Sequence, residues 1–342
     1  MRTTRAIVSD VSPTLRDRPV APPRPHVQKP VPALPAGLFQ VPISTIDWLV
    51  SRENPAARYV ALRDLMARPP KDIELRKAKQ ALPRDIFVRD TLAVLKRKLS
   101  PDQSAADLAK KYDGGLWLTL VLLQIGCDRT MPELQRAAAV LFSRWEREFR
   151  AIERTSPPSF DLAVFSTVCR TLALLGYGED PRVLGGADHI ARRRIAGPAL
   201  ADGCLITKDL VLFSAIPEAH RSEVVRRAIT FSLERAIGTE LGAAPSAGAP
   251  EAYGFPTGDG SDRLELLNTL VSLGVPQRPE ITVAISRVAS RADRRRRWAL
   301  GPGLNDGLPV AQERTGELSR WVTIRALRVM QHYLGLTVAG KP

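Results

Sequence analysis

LAVFSTVCRTLALLGYGEDPRVLGGADHIARRR, residues 162–194, is the stretch that decides the fold class, because it contains two helices joined by a fully specified turn. Its first half carries apolar residues at three- and four-residue spacing, which places them on one helical stripe. Gly176 ends that helix, since a residue without a Cβ atom adopts the left-handed conformation at little cost. Asp180 and Pro181 begin the next helix, because a carboxylate accepts free backbone N–H groups and proline tolerates the first helical position. The stretch therefore predicts an α-helical hairpin.

The same hairpin recurs along the chain. The helix-ending glycines Gly126, Gly176 and Gly274 are separated by 50 and then 98 residues, and 98 is two further steps of about 49. In each pair the first helix is the more apolar, which is typical of inner helices that are ringed by outer ones or stacked in a solenoid. The sequences WLTL at 117–120 and WVTI at 321–324 look like copies of one inner-helix start. A closed ring would bring these two helices side by side.

The two ends of the chain differ from its middle. Residues 1–42 hold nine of the 28 prolines, with six basic and two acidic side chains and little apolar pattern. Such a segment cannot bury enough apolar surface to offset its ordering entropy, so we predict a disordered or polyproline-like tail. Residues 43–336 form the predicted helical domain, and 337–342 form a short second tail.

The composition narrows the class of protein. Hydrophobic residues make up 44% of the chain, as in globular proteins. Its apolar runs fall short of the roughly 18 residues that a membrane helix needs, and the Arg-rich start lacks the apolar core of a secretory signal. We therefore expect a cytoplasmic protein with no membrane span. Three cysteines without CxxC spacing indicate buried thiols rather than disulfides.

The formal net charge of +14 makes nucleic acid a partner to consider. Two arginine clusters, 192–194 and 294–297, fall where helices are predicted to end, and there cations interact favourably with the helix dipole. Solvated helix ends are the favoured interpretation, and a nucleic-acid face is the alternative. The proline-rich tail is a further alternative site, for a protein partner.

Several stretches resemble a known family. Helical pairs of about 50 residues, an inner helix ending in LGYG at 175–178, and DPRV at 180–183 resemble the α/α toroid of terpenoid cyclases and protein prenyltransferases. They are most similar to bacterial prenyltransferase and squalene-oxidase repeat proteins, whose members mostly lack an assigned activity. The resemblance implies an α/α toroid with an apolar or isoprenoid-like ligand in its central cavity. Further matching stretches are 46–66, 215–225, 253–267 and 319–330.

Asp202, Cys204 and Asp262 are the candidates for chemistry that this resemblance suggests. Prenyltransferases hold zinc with a D-x-C element and a distant histidine, and Asp202 and Cys204 match that element. Ser319 stands where the histidine is expected, so a helix cap with a core thiol is favoured, and we expect neither zinc nor another cofactor. The cyclases use a D-x-D-D acid, but DGSD at 259–262 has two carboxylates in another spacing. A capped turn explains it better, and whether the protein is an enzyme stays open.

Three tryptophans are candidates for lining an apolar cavity. Trp117 and Trp321 begin the two similar inner helices, and Trp298 precedes the last of them. Their bulk and flat rings suit an apolar ligand, although packing in the protein core is the more frequent use of tryptophan.

Basic residues on apolar helices are the other binding candidates. Lys208 lies on a mostly apolar helix, and Arg325, Arg328 and His332 form a basic stripe on the last helix. If that helix is an inner one, the stripe faces the cavity and could hold an anionic group such as a diphosphate. If it is an outer one, the stripe faces water, which is the favoured interpretation.

Overall fold

A computed structural model of the protein describes residues 40–100, 110, 112–154, 162–196, 203–241, 252–258, 261–302, 307–308 and 313–336. α-Helices occupy most of these residues, which confirms the all-α class. The predicted tails lie outside the described residues, apart from 40–42.

Thirteen α-helices are present in this part of the chain. They are α1 Ile43–Leu49, α2 Pro55–Val60, α3 Ile73–Ala81, α4 Ile86–Lys98, α5 Gly115–Gln124, α6 Pro132–Arg154, α7 Leu162–Leu172, α8 Pro181–Ala196, α9 Gly203–Ser214, α10 Glu223–Ala236, α11 Arg263–Ser272, α12 Pro279–Ser290 and α13 Arg320–Leu334. Short 3₁₀ turns at Leu82–Arg84 and Glu218–His220 precede α4 and α10.

Three helices continue into a π-helical turn, which the sequence analysis did not predict. These turns are Ala61–Leu65 after α2, Ile237–Leu241 after α10, and Ala173–Tyr177 after α7, where the left-handed Gly176 interrupts the helical backbone. Two short strands, β1 Trp298–Ala299 and β2 Leu318–Ser319, pair antiparallel just before α13. The backbone therefore departs from α-helix where helices end and where the last one begins.

Polar side chains cap the starts of several helices, and the predicted start at Asp180 is confirmed. Asn54 accepts a hydrogen bond from the N–H of Ala57 at the start of α2 (2.9 Å). Asp180 caps α8, and Ser319 caps α13 by accepting from Val322 (3.0 Å). Each cap satisfies a backbone donor that has no partner within the helix.

The predicted stop signals are confirmed as well. Gly126, Gly176 and Gly274 have φ angles of +90°, +90° and +67°, in the left-handed region that favours glycine. A Cβ atom at Gly126 would also lie 2.9 Å from the ring of Tyr59, so the end of α5 packs closely on α2. The repeat read from glycine spacing thus corresponds to real helix ends.

The inner helices are those that pack on one another in succession, namely α5, α7, α9, α11, α13 and α2. α7 packs against α5 and α9, α9 against α11, α11 against α13, and α13 against α2 with its π turn. α8 packs on α7 and α10, and α12 packs on α11 and α13. Every residue from 115 to 122 in α5 is buried, as its all-round apolar sequence predicts.

Two of the three cysteines lie in this core. Cys127 and Cys169 are buried free thiols, as predicted. Burial raises the pKa of the Cys127 thiol to about 12, and burial likewise raises the pKa of Cys169 well above its ordinary value. Both thiols therefore stay protonated and serve as small apolar side chains. Among the described helices, none combines the length and apolar character that crossing a bilayer requires.

Candidate functional site

A cavity of about 260 Å³ lies among the inner helices. α2 with its π turn, α5, the π turn after α7, α9, α11 and α13 all contribute to its wall, together with the segment 252–258. The cavity combines an apolar surface with several charged and amide groups. Its apolar lining residues are Val60, Leu174, Val211, Phe255, Trp321 and Ile324.

Trp321 and Phe255 form the aromatic part of the wall. Their rings stack with centroids 4.7 Å apart and an interplanar angle of 8°. Gln124 holds the segment that carries Phe255, because its side-chain amide donates to the carbonyl of Thr257 (2.9 Å) and accepts from the Thr257 N–H (2.8 Å). The side chain of Gln124 thus fixes a loop far away in sequence to α5 by bonding both main-chain groups of one residue.

Arg325 and Asp262 join α13 to the start of α11. Asp262 caps α11 by accepting from the N–H of Glu265 (2.7 Å), and it also accepts from the N–H of Gly254 (2.8 Å). Arg325 donates to the same carboxylate (3.2 Å) and to the carbonyl of Gly254 (2.7 Å). These bonds engage Asp262 as a cap and an ion-pair partner.

A buried ion pair lies beside the cavity. The Nζ atom of Lys208 on α9 lies 2.6 and 2.5 Å from the two carboxylate oxygens of Glu265 on α11. Burial alone would raise the pKa of Glu265, but the charge and hydrogen bonds of Lys208 outweigh it, with Arg325 and Arg170 adding to the effect, and lower that pKa. The carboxylate is therefore ionised and paired.

A second buried pair lies one residue further along α9. Asp209 accepts hydrogen bonds from Ser166 (2.7 Å) and from Arg194 on α8. Both charged partners are less than a tenth exposed. The Arg192–Arg194 cluster is therefore divided, since Arg192 and Arg193 are exposed at the helix end as predicted and Arg194 serves the interior.

Three arginines approach one another at the cavity. Arg63 chelates the adjacent Asp64 (2.6 and 2.9 Å), and Arg328 donates to the neutral hydroxyl of Ser272 (2.9 Å). Burial is the main cause that lowers the pKa of Arg328; Asp64 opposes the shift, while Arg63 and Arg325 reinforce it. The carboxylates in this part of the wall thus have arginine or lysine partners, whereas Arg328 has a hydroxyl.

Two polar atoms in the wall have no hydrogen-bond partner among the described residues. They are Nε1 of Trp321 and Oδ1 of Asn268. The other amide atom of Asn268 donates to the carbonyls of Leu264 (2.9 Å) and Arg325 (3.1 Å). Unsatisfied buried groups are uncommon and costly, and water or a ligand is their usual partner.

The predicted site residues fall into separate groups. Trp321 and Arg325 line the cavity, and Lys208 reaches its edge through Glu265. Trp117 lies elsewhere, in a small apolar cluster with Leu120, Tyr112 and Leu308, and Trp298 is a core residue whose Nε1 donates to the carbonyl of Val288 (2.7 Å).

The remaining predictions concern the metal and catalytic candidates. Asp202 lies outside the described residues, and of Cys204 the structure describes only the helical backbone at the start of α9. Within the described part of the chain, histidine, cysteine and acidic side chains form no group of three that could hold a metal ion. The expectation that residues 202–204 hold no zinc therefore stays a prediction.

Sequence reasoning missed several residues at the cavity. Arg63, Asp64, Glu265 and Asn268 were not candidates, although a charged residue on a buried apolar helix is a usable signal. In the predicted stripe of α13, Arg328 lines the cavity and His332 is exposed, packing edge-on against Tyr333.

Comparisons with known proteins add no relative. No family model matches the chain, and searches of curated proteins and of solved structures find no match.

Proposed function

We propose that the helical hairpins close into an α/α toroid whose central cavity binds a small apolar ligand carrying one anionic group. The order of packing supports closure, since neighbouring inner helices run from α5 through α7, α9 and α11 to α13, which contacts α2. The end of α5 packs on α2 in turn, through Gly126 against Tyr59 and Val60. The cavity bordered by all six inner helices is then the centre of the ring.

Two contacts between the first and last helices make closure testable. Gln331 on α13 donates to the carbonyl of Leu65 (3.0 Å), and the guanidinium of Arg320 lies 4.8 Å from the ring centroid of Trp48 on α1. A double-mutant cycle with Arg320→Ala and Trp48→Ala should give a coupling energy of about 0.5–1 kcal/mol in urea unfolding. An open arc predicts additive effects, and a coupling near zero would argue against the ring.

The shape and chemistry of the cavity favour a small amphipathic ligand. Its volume of about 260 Å³ lies just below the range of about 300–1,000 Å³ that is usual for drug-sized ligands. Trp321, Phe255 and Leu174 offer apolar surface to one part of the ligand. Such a site suits a short isoprenoid-like chain better than a long one.

The position of Arg328 is the observation that supports an anionic group on the ligand. Its guanidinium lies on the cavity wall and bonds a neutral hydroxyl, with the charges of Asp64, Arg63 and Arg325 nearby. An anion bound there would gain a charge-assisted hydrogen bond, and its charge would offset the repulsion among the arginines. Trp321, whose buried Nε1 has no hydrogen-bond partner among the described residues, lines the same cavity.

A ligand series with one headgroup tests this proposal. Dimethylallyl, geranyl and farnesyl monophosphates are added to the purified protein, and the midpoint of thermal unfolding is recorded, with the corresponding alcohols as neutral controls. We expect the shortest phosphate to stabilise the protein most, because binding to the folded state raises stability by mass action. If no phosphate raises the midpoint, the proposal is wrong.

Arg328→Gln tests the residue itself. Removing one charge-assisted hydrogen bond costs about 1.5–3 kcal/mol, which corresponds to a roughly 10- to 100-fold weaker affinity for the phosphate. Arg193→Gln, on the exposed face of α8, is the matched control and should leave affinity unchanged. Equal weakening by both variants would assign the effect to net charge instead of the cavity.

A further inference from the structure

The turn between α12 and β1 concentrates positive charge. Residues 291–297, hereafter the arginine turn, contain five arginines and one acidic residue, Asp293. The turn is attached to α1 by two hydrogen bonds. Thr45 donates to the carbonyl of Arg295 (2.5 Å), and Arg297 donates to the carbonyl of Ser44 (2.9 Å). It is thereby docked on α1.

Asp293 builds the turn through hydrogen bonds to its main chain. The Oδ1 atom of Asp293 accepts hydrogen bonds from the backbone N–H groups of Arg295 and Arg297, both at 2.8 Å. The N–H of Arg296 bonds the Asp293 carbonyl (3.0 Å), and Arg296 has a φ angle of +61°, which L-residues rarely adopt. The one acidic side chain therefore fixes the backbone shape through main-chain bonds.

Three arginines of the turn point their charge at solvent. Arg291, Arg294 and Arg295 are exposed, and none of their side chains has a hydrogen bond or ion pair with another residue in the part of the chain that the structure describes. Many other surface arginines are paired, as Arg182 is with Glu146 (3.0 Å). Three exposed arginines without such a partner thus lie within five residues of one another on one turn.

A second layer of charge lies beneath them. The guanidinium carbons of Arg297 and Arg320 lie 4.5 and 4.8 Å from the ring centroid of Trp48. Burial lowers the pKa of Arg297; Arg295 and Arg320 lower it further, while Asp293 opposes the shift. Like charges thus crowd one another here, and a bound polyanion would relieve that repulsion.

We infer that the arginine turn, with Arg320 behind it, is a binding surface for the phosphate backbone of nucleic acid. Arginine matches phosphate geometry with two donors in a fixed fork, and a rigid turn presents several forks without first breaking internal ion pairs. Sequence-independent binding of this kind rests on neutralised phosphates and the counterions they release.

The side chains around the arginine turn favour nucleic acid over a protein partner or a membrane surface. Protein interfaces are built around an apolar or aromatic centre, whereas the aromatic ring at this place, Trp48, has arginines over it. The apolar side chains beside the turn, Ile43 and Leu318, are single exposed residues. Exposed isoleucines recur at the starts of α3 and α4, so Ile43 is no sign of insertion into a membrane.

The test uses the full chain and a labelled 20-base-pair DNA duplex of arbitrary sequence. Binding is followed by fluorescence anisotropy between 50 and 200 mM KCl, for the wild type and for the triple variant R291Q, R294Q, R295Q. Three lost phosphate contacts should lower the log–log salt slope by about 2.7, so the wild type should lose about 40-fold more affinity than the variant over this range.

A second triple variant with the same charge change is the control. Arg193, Arg226 and Arg227 are exposed on α8 and α10, and their replacement by Gln should change the slope by less than half as much. Equal effects of the two variants, an unchanged slope in the arginine-turn variant, or no DNA binding at 50 mM KCl would overturn the inference. So would binding to vesicles of anionic phospholipid that depends on the three arginines while DNA binding does not.

Discussion

Two inner regions of this protein are equally buried and chemically opposite. α5 presents only buried residues from 115 to 122, and its stability comes from apolar surface removed from water. The boundary between α9 and α11 instead buries Lys208 and Glu265 as an ion pair, next to Asp209 and its partner Arg194. Buried contacts between helices can therefore be made by apolar packing or by paired charges. Single substitutions should destabilise the two kinds of contact in different ways.

The difference lies in what one substitution leaves behind. A shortened apolar side chain leaves a small cavity, whose cost depends on how far neighbours can relax. A removed partner leaves an uncompensated charge away from water, although the intact pair is worth little compared with apolar residues of similar size. The charged boundary should thus be the more sensitive to single changes and the more tolerant of paired ones.

The largest effect is expected for Lys208→Met. It leaves the buried carboxylate of Glu265 without its main partner, and the free energy of unfolding at pH 7 should fall by about 3–5 kcal/mol in urea titrations. The double variant Lys208→Met, Glu265→Leu should recover most of that loss. A single variant as stable as the wild type would show that the pair is not the element that distinguishes the two regions.

A comparable but smaller effect is expected for Leu122→Ala in α5. Leu122 is fully buried, so the truncation should cost about 3 kcal/mol by the same measurement. Leu318→Ala, at a position 42% exposed, is the control and should stay within about 0.5 kcal/mol of the wild type. Here no second substitution at a charged residue should restore stability, in contrast to the Lys208 variant.

Acid should separate the two regions further. The pKa of Glu265 is lowered below its usual value of 4.5 because Lys208 outweighs the effect of burial. The stabilisation from this group is therefore present above pH 4.5 and is lost as the pH falls through the pKa of the folded state. Urea unfolding at pH 7 and pH 3.5 should show a larger loss in the wild type than in the Lys208→Met, Glu265→Leu variant. Equal losses would contradict the assignment.

The smallest effect concerns the two helix ends. Gly274→Ala, after α11, meets open space, so only the left-handed backbone is penalised and about 1 kcal/mol should be lost. Gly126→Ala, after α5, places its Cβ 2.9 Å from Tyr59 and should cost more. The ratio of the two losses in thermal unfolding measures how tightly the end of α5 packs on α2.

Local signals made the helices predictable. Asn54, Asp180 and Ser319 act on backbone groups within three residues, and a glycine such as Gly176 needs no partner to favour a left-handed turn. The π-helical turns were not predicted, because caps, glycines and apolar spacing mark where a helix begins and ends but do not distinguish a π turn from an α-helical one.

The candidate site was less predictable because its contacts are long-range. Lys208 stood out as a charge on an apolar helix, but its partner lies 57 residues away. The sequence pattern did not distinguish Arg194 from the exposed Arg192 and Arg193, because its partner Asp209 lies on another helix. Trp117 and Trp321 have similar sequence surroundings, yet only Trp321 lines the cavity, where it stacks on Phe255 from a segment far away in sequence.

Two hydrogen bonds between Gln124 and the main chain of Thr257 hold one part of the cavity wall in place. Two main-chain groups of the 252–258 segment depend on a single side-chain amide. Replacing Gln124 would remove both bonds to Thr257, while Gly254 stays bonded to Asp262 and Arg325. One substitution can therefore loosen the wall at Thr257 while the neighbouring part of the same segment stays attached to α11 and α13.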